Sequence, residues 1–219
     1  GVERSSKINL MEDGIPIAPA PYSSPAAYYS PTAGRMESFE VRKGSSQIKY
    51  GPQSTGGALN YISTSIPRDF RVKANLFGGQ FNTYKAHVNI GSSGETFGYL
   101  LETFIDQTTG FKNLDHAGQN TGYSKADYLS KFRFNTPKSF TIPAAIELKY
   151  GITDELSNET YLGLSRSDFS IDPLRRYAAS GIDEMDADHA QTVLTGVVKP
   201  LANVDLTFAY YKNEFNRNW

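Results

Sequence analysis

The chain contains no cysteine. Disulfides, thiolate nucleophiles and cysteine-based metal sites are therefore excluded, while the compartment stays open. It also lacks any run approaching the ~18 apolar residues that a membrane-spanning helix requires. Strands that cross a membrane by alternating apolar and polar residues are untouched by that test. Charge of one sign is missing too: Lys and Arg number 22, Asp and Glu 23, for a net charge of -1. Such a balance gives no electrostatic basis for nucleic acid as a partner. Catalytic constellations are absent as well. His87, His116 and His189 do not fall into H-E-x-x-H spacing, and Gly78-Gly79 is no dinucleotide fingerprint. There is no G-x-S-x-G elbow, and Gly91-Ser92-Ser93-Gly94 reads as a hairpin turn. The run Asp183 to His189 lacks the glycine and terminal glutamate of an EF-hand and reads as a solvated acidic stretch. No enzyme, no cofactor and no resident metal are expected. The opening Gly1-Val2-Glu3-Arg4-Ser5-Ser6 has neither an initiator methionine nor an apolar leader core, so either a mature protein or a piece of a longer one is expected.

Aromatic residues and glycine are plentiful, with 14 Tyr, 13 Phe and 19 Gly. That composition, punctuated by turn residues, favours β-structure. Two regions differ in character. The first runs to Pro67. It holds Gly14-Ile15-Pro16-Ile17-Ala18-Pro19-Ala20-Pro21-Tyr22, then Pro25 and Pro31, a proline density that excludes helix and central strand and predicts a turn-rich loop. Two short strands follow, Ser38 to Arg42 and Ala58 to Thr64. Between them Tyr50-Gly51-Pro52 and Gly56-Gly57 supply turn chemistry.

From Arg68 onward the chain reads as successive two-period segments. Tyr84, Ala86, Val88 and Ile90 fall on one face, with Lys85, His87 and Asn89 on the other. Ile146, Leu148, Tyr150 and Ile152 alternate with Glu147, Lys149 and Thr153. Val204, Leu206, Phe208 and Tyr210 alternate with Asp205, Thr207, Tyr211 and Asn213. Period 2 places these sets on opposite faces of a sheet. Further, less regular strands are expected over Arg71–Gln80, Thr96–Thr108, Tyr123–Asn135 and Ala187–Val198, about seven in all. Connections alternate between short turns (Ser92–Glu95, Pro137–Pro143, Lys199–Asn203) and long polar loops (Thr109–Gly122, Asp154–Asp186). Short turns at one end and long loops at the other are the habit of outer-membrane barrels, although a soluble sandwich also alternates.

Arg35-Met36-Glu37-Ser38-Phe39-Glu40-Val41-Arg42-Lys43-Gly44, with Tyr50-Gly51-Pro52 and Gly56-Gly57-Ala58-Leu59-Asn60-Tyr61-Ile62, resembles the plug signature of TonB-dependent outer-membrane receptors. It departs from that signature where Arg42 comes one position early, Lys43 stands at the usual arginine and Ser45 replaces the usual proline. The proline-rich run Asp13 to Tyr22, together with Asn158 to Ser165, Arg175 to Ser180 and Tyr210 to Trp219, is similar to the ferric dicitrate receptor branch. The resemblance implies a mainly β fold, with the C-terminal part of a small α+β plug domain over residues 1–67. About seven antiparallel strands of an incomplete transmembrane β-barrel follow over residues 68–219. Complete barrels of this type have about 22 strands, so an internal fragment is expected.

The same resemblance implies energised import of a ferric chelate such as ferric citrate across the cell outer membrane of a Gram-negative bacterium. TonB would be the driving partner and outer-membrane lipid the surroundings. Alternatives are a receptor for another nutrient, such as cobalamin or an oligosaccharide, or a passive porin, against which the plug signature argues. For an anionic chelate, arginine suits carboxylates through its bidentate fork. Arg175 and Arg176 in the long connection, and Tyr22, Ser23 and Ser24 in the proline-fixed loop, are the ligand candidates. The competing expectation is that the arginines pair with Asp168, Asp172 or Asp183. Glu40, Arg42 and Lys43 are expected to contact the barrel wall, with Glu147 and Lys149 as candidate partners.

Overall fold

A computed structural model describes residues 8–17, 29–43, 56–116 and 120–219. They form a small four-stranded sheet seated against one face of a large seven-stranded one.

The small sheet is built from β1 (Ile8–Glu12), β2 (Ile15–Pro16), β3 (Met36–Arg42) and β4 (Gly57–Ser63), in the order β2-β1-β4-β3. β1 runs parallel to β4, from Ile8 opposite Gly57 to Glu12 opposite Tyr61. β1 and β2 are joined by Asp13-Gly14, whose φ angles of 52° and 80° are both positive. An Asp-Gly pair suits such a turn, because both residues tolerate the left-handed region. β3 and β4 match the two strands expected from the sequence to within two residues at each end. β1 was not foreseen, since it is five residues long and adjoins the proline-rich run.

The large sheet comprises β5 (Arg71–Gly78), β6 (Tyr84–Ser93), β7 (Phe97–Thr108), β9 (Tyr123–Asn135), β10 (Ala144–Ser157), β12 (Met185–Leu201) and β13 (Val204–Asn218). Every pairing is antiparallel and joins strands that follow one another along the chain within this sheet, which is an up-and-down meander with β5 and β13 at its edges. Connections 94–96, 136–143 and 202–203 lie at one end of the sheet and 79–83, 109–122 and 158–184 at the opposite end, where the last two are the longest. The last two hold β8 (Asn113–Leu114) and β11 (Arg175–Arg176), which pair with each other, and helix α1 (Arg166–Ile171).

Burial along these strands is inverted relative to a water-soluble sheet. On β10, Lys149 and Thr153 are buried while Ile146, Leu148, Tyr150 and Ile152 are exposed. On β9, Asp127 and Lys131 are buried while Tyr128 and Phe134 are exposed. Water would penalise that arrangement, and a lipid environment favours it. The dimensions agree. The apolar outward stretch Ala144–Ile152 rises ~30 Å along the strand, or ~23 Å at a ~40° tilt, against the ~25 Å apolar band of membrane barrels.

Tilt can be read from the charges. On β7 the outward face stays free of charge and Ile105 is its last apolar residue, and the pairing carries that level to Ala126, Asp154, Asp188 and Asn216 on the strands beyond. On β13 the last apolar outward residue is Tyr210, six positions before Asn216, and Lys212 follows. An offset of ~20 Å over four strand spacings of ~4.8 Å gives a tilt of about 45°, that of a membrane barrel wall. At the short-turn end the outward face carries an aromatic row. Phe97 lies 5.1 Å from Phe134 and 6.2 Å from Tyr99, ring centre to ring centre. Such rows mark a membrane–water boundary.

Two edges and an outward apolar face leave this sheet without closure. Expressed alone and refolded in detergent, the 219-residue chain is expected to show no heat-shifted band on gel electrophoresis. A monomeric species that resists denaturant until heated would contradict the open-sheet architecture.

Candidate functional site

Where the small sheet meets the wall, the contact is ionic. After Pro31 the chain makes a 3-10 turn over Ala33–Arg35, with the Arg35 amide donating to the Thr32 carbonyl at 3.1 Å. Gly34 allows this turn to touch the wall: a Cβ there would sit 2.3 Å from the ring of Phe104 on β7. The close approach delivers Arg35 into the interface. Its guanidinium donates through both Nη atoms to the Glu12 carboxylate at 2.9 and 3.0 Å, and through Nε to Asp127 at 2.9 Å. All three side chains are at most 3% exposed.

Three further charges complete the cluster. Lys149 donates to Glu12 at 2.7 Å and to Asp13 at 2.6 Å. Lys131 lies 3.7 Å from Asp13. The Asp13 carboxylate is held in place by the Ser63 amide at 2.9 Å and hydroxyl at 2.5 Å. Glu12, Asp13 and Arg35 come from the small sheet, and Asp127, Lys131 and Lys149 from the wall. The six charges sum to zero. Burial by itself would push the Glu12 carboxyl up, but the charge of Arg35, then that of Lys149, holds it below its ordinary value of 4.5. Asp13 is likewise depressed against burial, by Lys149 and then Lys131. Burial opposes the charge of Arg35, and Glu12 and Asp127 raise its pKa regardless. The stability that Glu12 contributes is thus complete above its ordinary value and is lost as pH falls through the lowered one.

Flanking contacts extend the seat. Glu102 accepts from Thr64 at 2.6 Å and Asn89 at 3.2 Å, and pairs with His87 at 2.7 Å. Tyr29 stacks on His189 at 3.7 Å and 15°, and its hydroxyl lies 3.3 Å from that of Thr153. Asn213 donates to the Pro16 carbonyl at 2.9 Å.

The two long loops are joined. β8 and β11 pair in parallel. Arg175 grips Asp115 with Nε and Nη2 at 2.9 to 3.1 Å, and Asp168 with Nη1 at 3.0 Å. Arg176 is buried, donating to the Ser180 hydroxyl at 2.8 Å, the Ser180 carbonyl at 2.6 Å and the Asn158 carbonyl. Of the three acidic partners considered, Asp168 is the one that pairs with Arg175. A cleft of about 420 Å³ opens beside them, lined by Phe111, Lys112, Leu162, Phe169 and both arginines. The Ser165 hydroxyl caps α1 by accepting from the Asp168 amide at 3.1 Å. Ser165 and Asp168 have capping-box spacing with Asp in place of Glu, a signal legible in the sequence though not drawn from it.

The remaining candidates are placed differently. Tyr22, Ser23 and Ser24 lie outside the described residues. Glu40, Arg42 and Lys43 are exposed on or beside β3, where Glu40 accepts from Asn60 at 3.2 Å. The expected partner of Glu40, Lys149, is engaged by Glu12 and Asp13 instead. The reason is topological: β3 is the far edge of the small sheet, and β1 delivers the carboxylates. Sequence reasoning missed Glu12, Asp13, Arg35, Asp127 and Lys131. The signal available was an ionisable residue on the inward phase of a two-period strand, as at Lys131 and Lys149.

No family model matches the chain. Solved structures do resemble it. The ferric citrate transporter FecA in its unliganded form superposes with a TM-score of 0.75 at 22% identity, over 97% of this chain and 32% of that one. The ferric-catecholate import receptor Fiu of E. coli K12, in its open form, gives 0.71 at 15% identity, over 97% and 32%. The copper transporter OprC gives 0.66 at 17%, over 95% and 30%. The chain thus spans about a third of the length of each. The likeness shows the fold alone, that of a partial antiparallel barrel.

Removing one member of a buried ion cluster strands its partners and costs about 3–5 kcal/mol. Arg35→Met, in the intact membrane protein, is expected to expose the small sheet to protease at much lower urea. Adding Asp127→Asn and Glu12→Gln is expected to recover part of that loss. A shift below about 1 kcal/mol for Arg35→Met would remove the cluster as the seat.

Proposed function

We propose that the chain is part of a TonB-dependent outer-membrane receptor that imports a ferric chelate, ferric citrate or a similar siderophore. Residues 1–67 would be the C-terminal part of its plug and residues 68–219 the first strands of its barrel. The observation carrying this reading is the six-charge seat between Glu12, Asp13 and Arg35 on one side and Asp127, Lys131 and Lys149 on the other. A passive pore needs no second domain fitted to its inner wall. A gated importer needs one that blocks the lumen yet can be displaced. Ion pairs suit that demand, since their attraction is largely offset by desolvation. They fix position without the adhesion that an equal area of apolar contact would give. The plug-like signature Arg35 to Lys43 and the folds of a ferric citrate transporter and a ferric-catecholate receptor support the same reading.

At the outer end, Arg175 keeps an exposed edge, and we assign it the contact with an anionic chelate. Arg176, being buried, would hold the loop that presents it. Tyr22, Ser23 and Ser24 would meet the ligand from the plug side. The same fold also carries a copper transporter, so the substrate rests on the loops and not on the barrel.

The test is uptake of radio-iron by cells whose only ferric chelate receptor is the intact protein. Ferric citrate is expected to bind with or without TonB and to enter only with it. Arg175→Ala is expected to weaken binding by about tenfold, the loss of one charge-assisted contact. Entry without TonB, or preference for cobalamin over every ferric chelate, would overturn the proposal.

A further inference from the structure

Arg175 is already paired on two sides. Asp115 takes its Nε and Nη2 edge, with contacts of 2.9 to 3.1 Å, and Asp168 Oδ1 stands on Nη1 at 3.0 Å. A guanidinium meets a carboxylate best with two parallel hydrogen bonds along one edge of its fork. With the Nε edge closed, the edge left for such a pair lies between Nη1 and Nη2. Asp168 holds the Nη1 end of it.

The two aspartates are not held alike. Asp115 is fixed beside Arg175 by the backbone: the Asn113 amide donates to the Leu174 carbonyl at 2.8 Å, and the Asp115 amide to the Arg176 carbonyl at 2.9 Å. Asp168 comes instead from α1, a helix of six residues of which none is buried. Little packing opposes a shift of that helix. Nor would a shift leave Asp168 bare. Its Oδ2 accepts from the Ser165 hydroxyl at 2.8 Å and from the Tyr177 hydroxyl, so Arg175 serves Oδ1 alone. Arg175 and Phe169, next to Asp168 on α1, both line the cleft of about 420 Å³. The cleft therefore opens on the side of the fork where α1 stands.

We infer that Asp168 is a specificity-determining residue, an internal stand-in for the ligand's carboxylate. It occupies the open edge of Arg175 until an anionic chelate displaces it, while Asp115 stays in place and keeps the guanidinium aimed. A tethered carboxylate competes at high effective concentration. A single weak carboxylate does not displace it, and a chelate presenting several does, so the contact discriminates by repelling the wrong anion as well as by attracting the right one. The inference rests on the proposed reading of Arg175 as the chelate contact.

Binding of ferric citrate to the intact receptor, measured by equilibrium dialysis with radio-iron at fixed ionic strength, reads the exchange. Asp168→Asn keeps the side chain's shape and removes the competing charge. It is expected to tighten binding by about fivefold, the upper end of what a solvent-exposed ion pair contributes. Asp115→Asn removes an equal charge beside the same guanidinium but leaves the open edge occupied, and is expected to bring no gain. If Asp168 served only to shape the loop, its loss would weaken binding; if it acted only through the general field, both variants would bind more tightly. Either result, or an unchanged Asp168→Asn, overturns the inference. Arg175→Ala separates this failure from that of the reading beneath it. Weakened binding there, with no gain in Asp168→Asn, removes the stand-in alone; unchanged binding there removes the ligand contact and the stand-in together.

Discussion

Arg35 is the residue on which the assembly turns. It lies on the small sheet's side of the boundary, reaches Glu12 with two nitrogens and the wall's Asp127 with a third, and is itself all but inaccessible. A guanidinium can serve two carboxylates at once because its donors are spread around a rigid plane. Lys149 closes the circuit from the other side by bonding Glu12 and Asp13 together. No member can be removed without leaving a buried charge uncompensated. That constraint fixes where the small sheet sits, and it accounts for a glycine at 34, since any larger residue would collide with Phe104.

The ionic seat and the apolar exterior have one cause. A strand has two faces, and a wall between lipid and a polar lumen must place its apolar residues outward. Ionisable side chains are then confined to the inner face, where they are stable only if something meets them. The small sheet supplies the matching charges. The core is correspondingly modest: Leu10, Ile17 and Tyr29 cluster with Leu59 and Phe215, and Ile66 with Leu100 and Leu129. These patches fill the seam between the sheets without forming the continuous interior of a soluble domain.

Much of the wall was legible in the sequence because its signal is local. Period-2 alternation is a property of each strand alone, and even β9, expected as a less regular strand, spans the residues expected, Tyr123–Asn135. β10, β12 and β13 run further toward the loops than the apolar pattern does, since above the lipid boundary nothing requires alternation. The seat was not legible, because it joins residues more than ninety positions apart whose only local mark is a charge on the inner phase. Arg175 and Arg176 show the opposite case. As loop arginines they read as ligand contacts, but only the folded chain reveals that one bridges two loops and the other is sunk beneath them.

The central claim is a sheet turned inside out, with lipid against its apolar face and the small sheet against its polar one. The absence of native cysteine makes it directly measurable by placing spin labels singly from 146 to 153 in the intact protein in bilayers. Labels at Ile146, Leu148, Tyr150 and Ile152 should be accessible to oxygen dissolved in lipid. Those at Glu147, Lys149, Gly151 and Thr153 should be shielded from it. Uniform accessibility, or the opposite phase with Lys149 outward, would contradict the account.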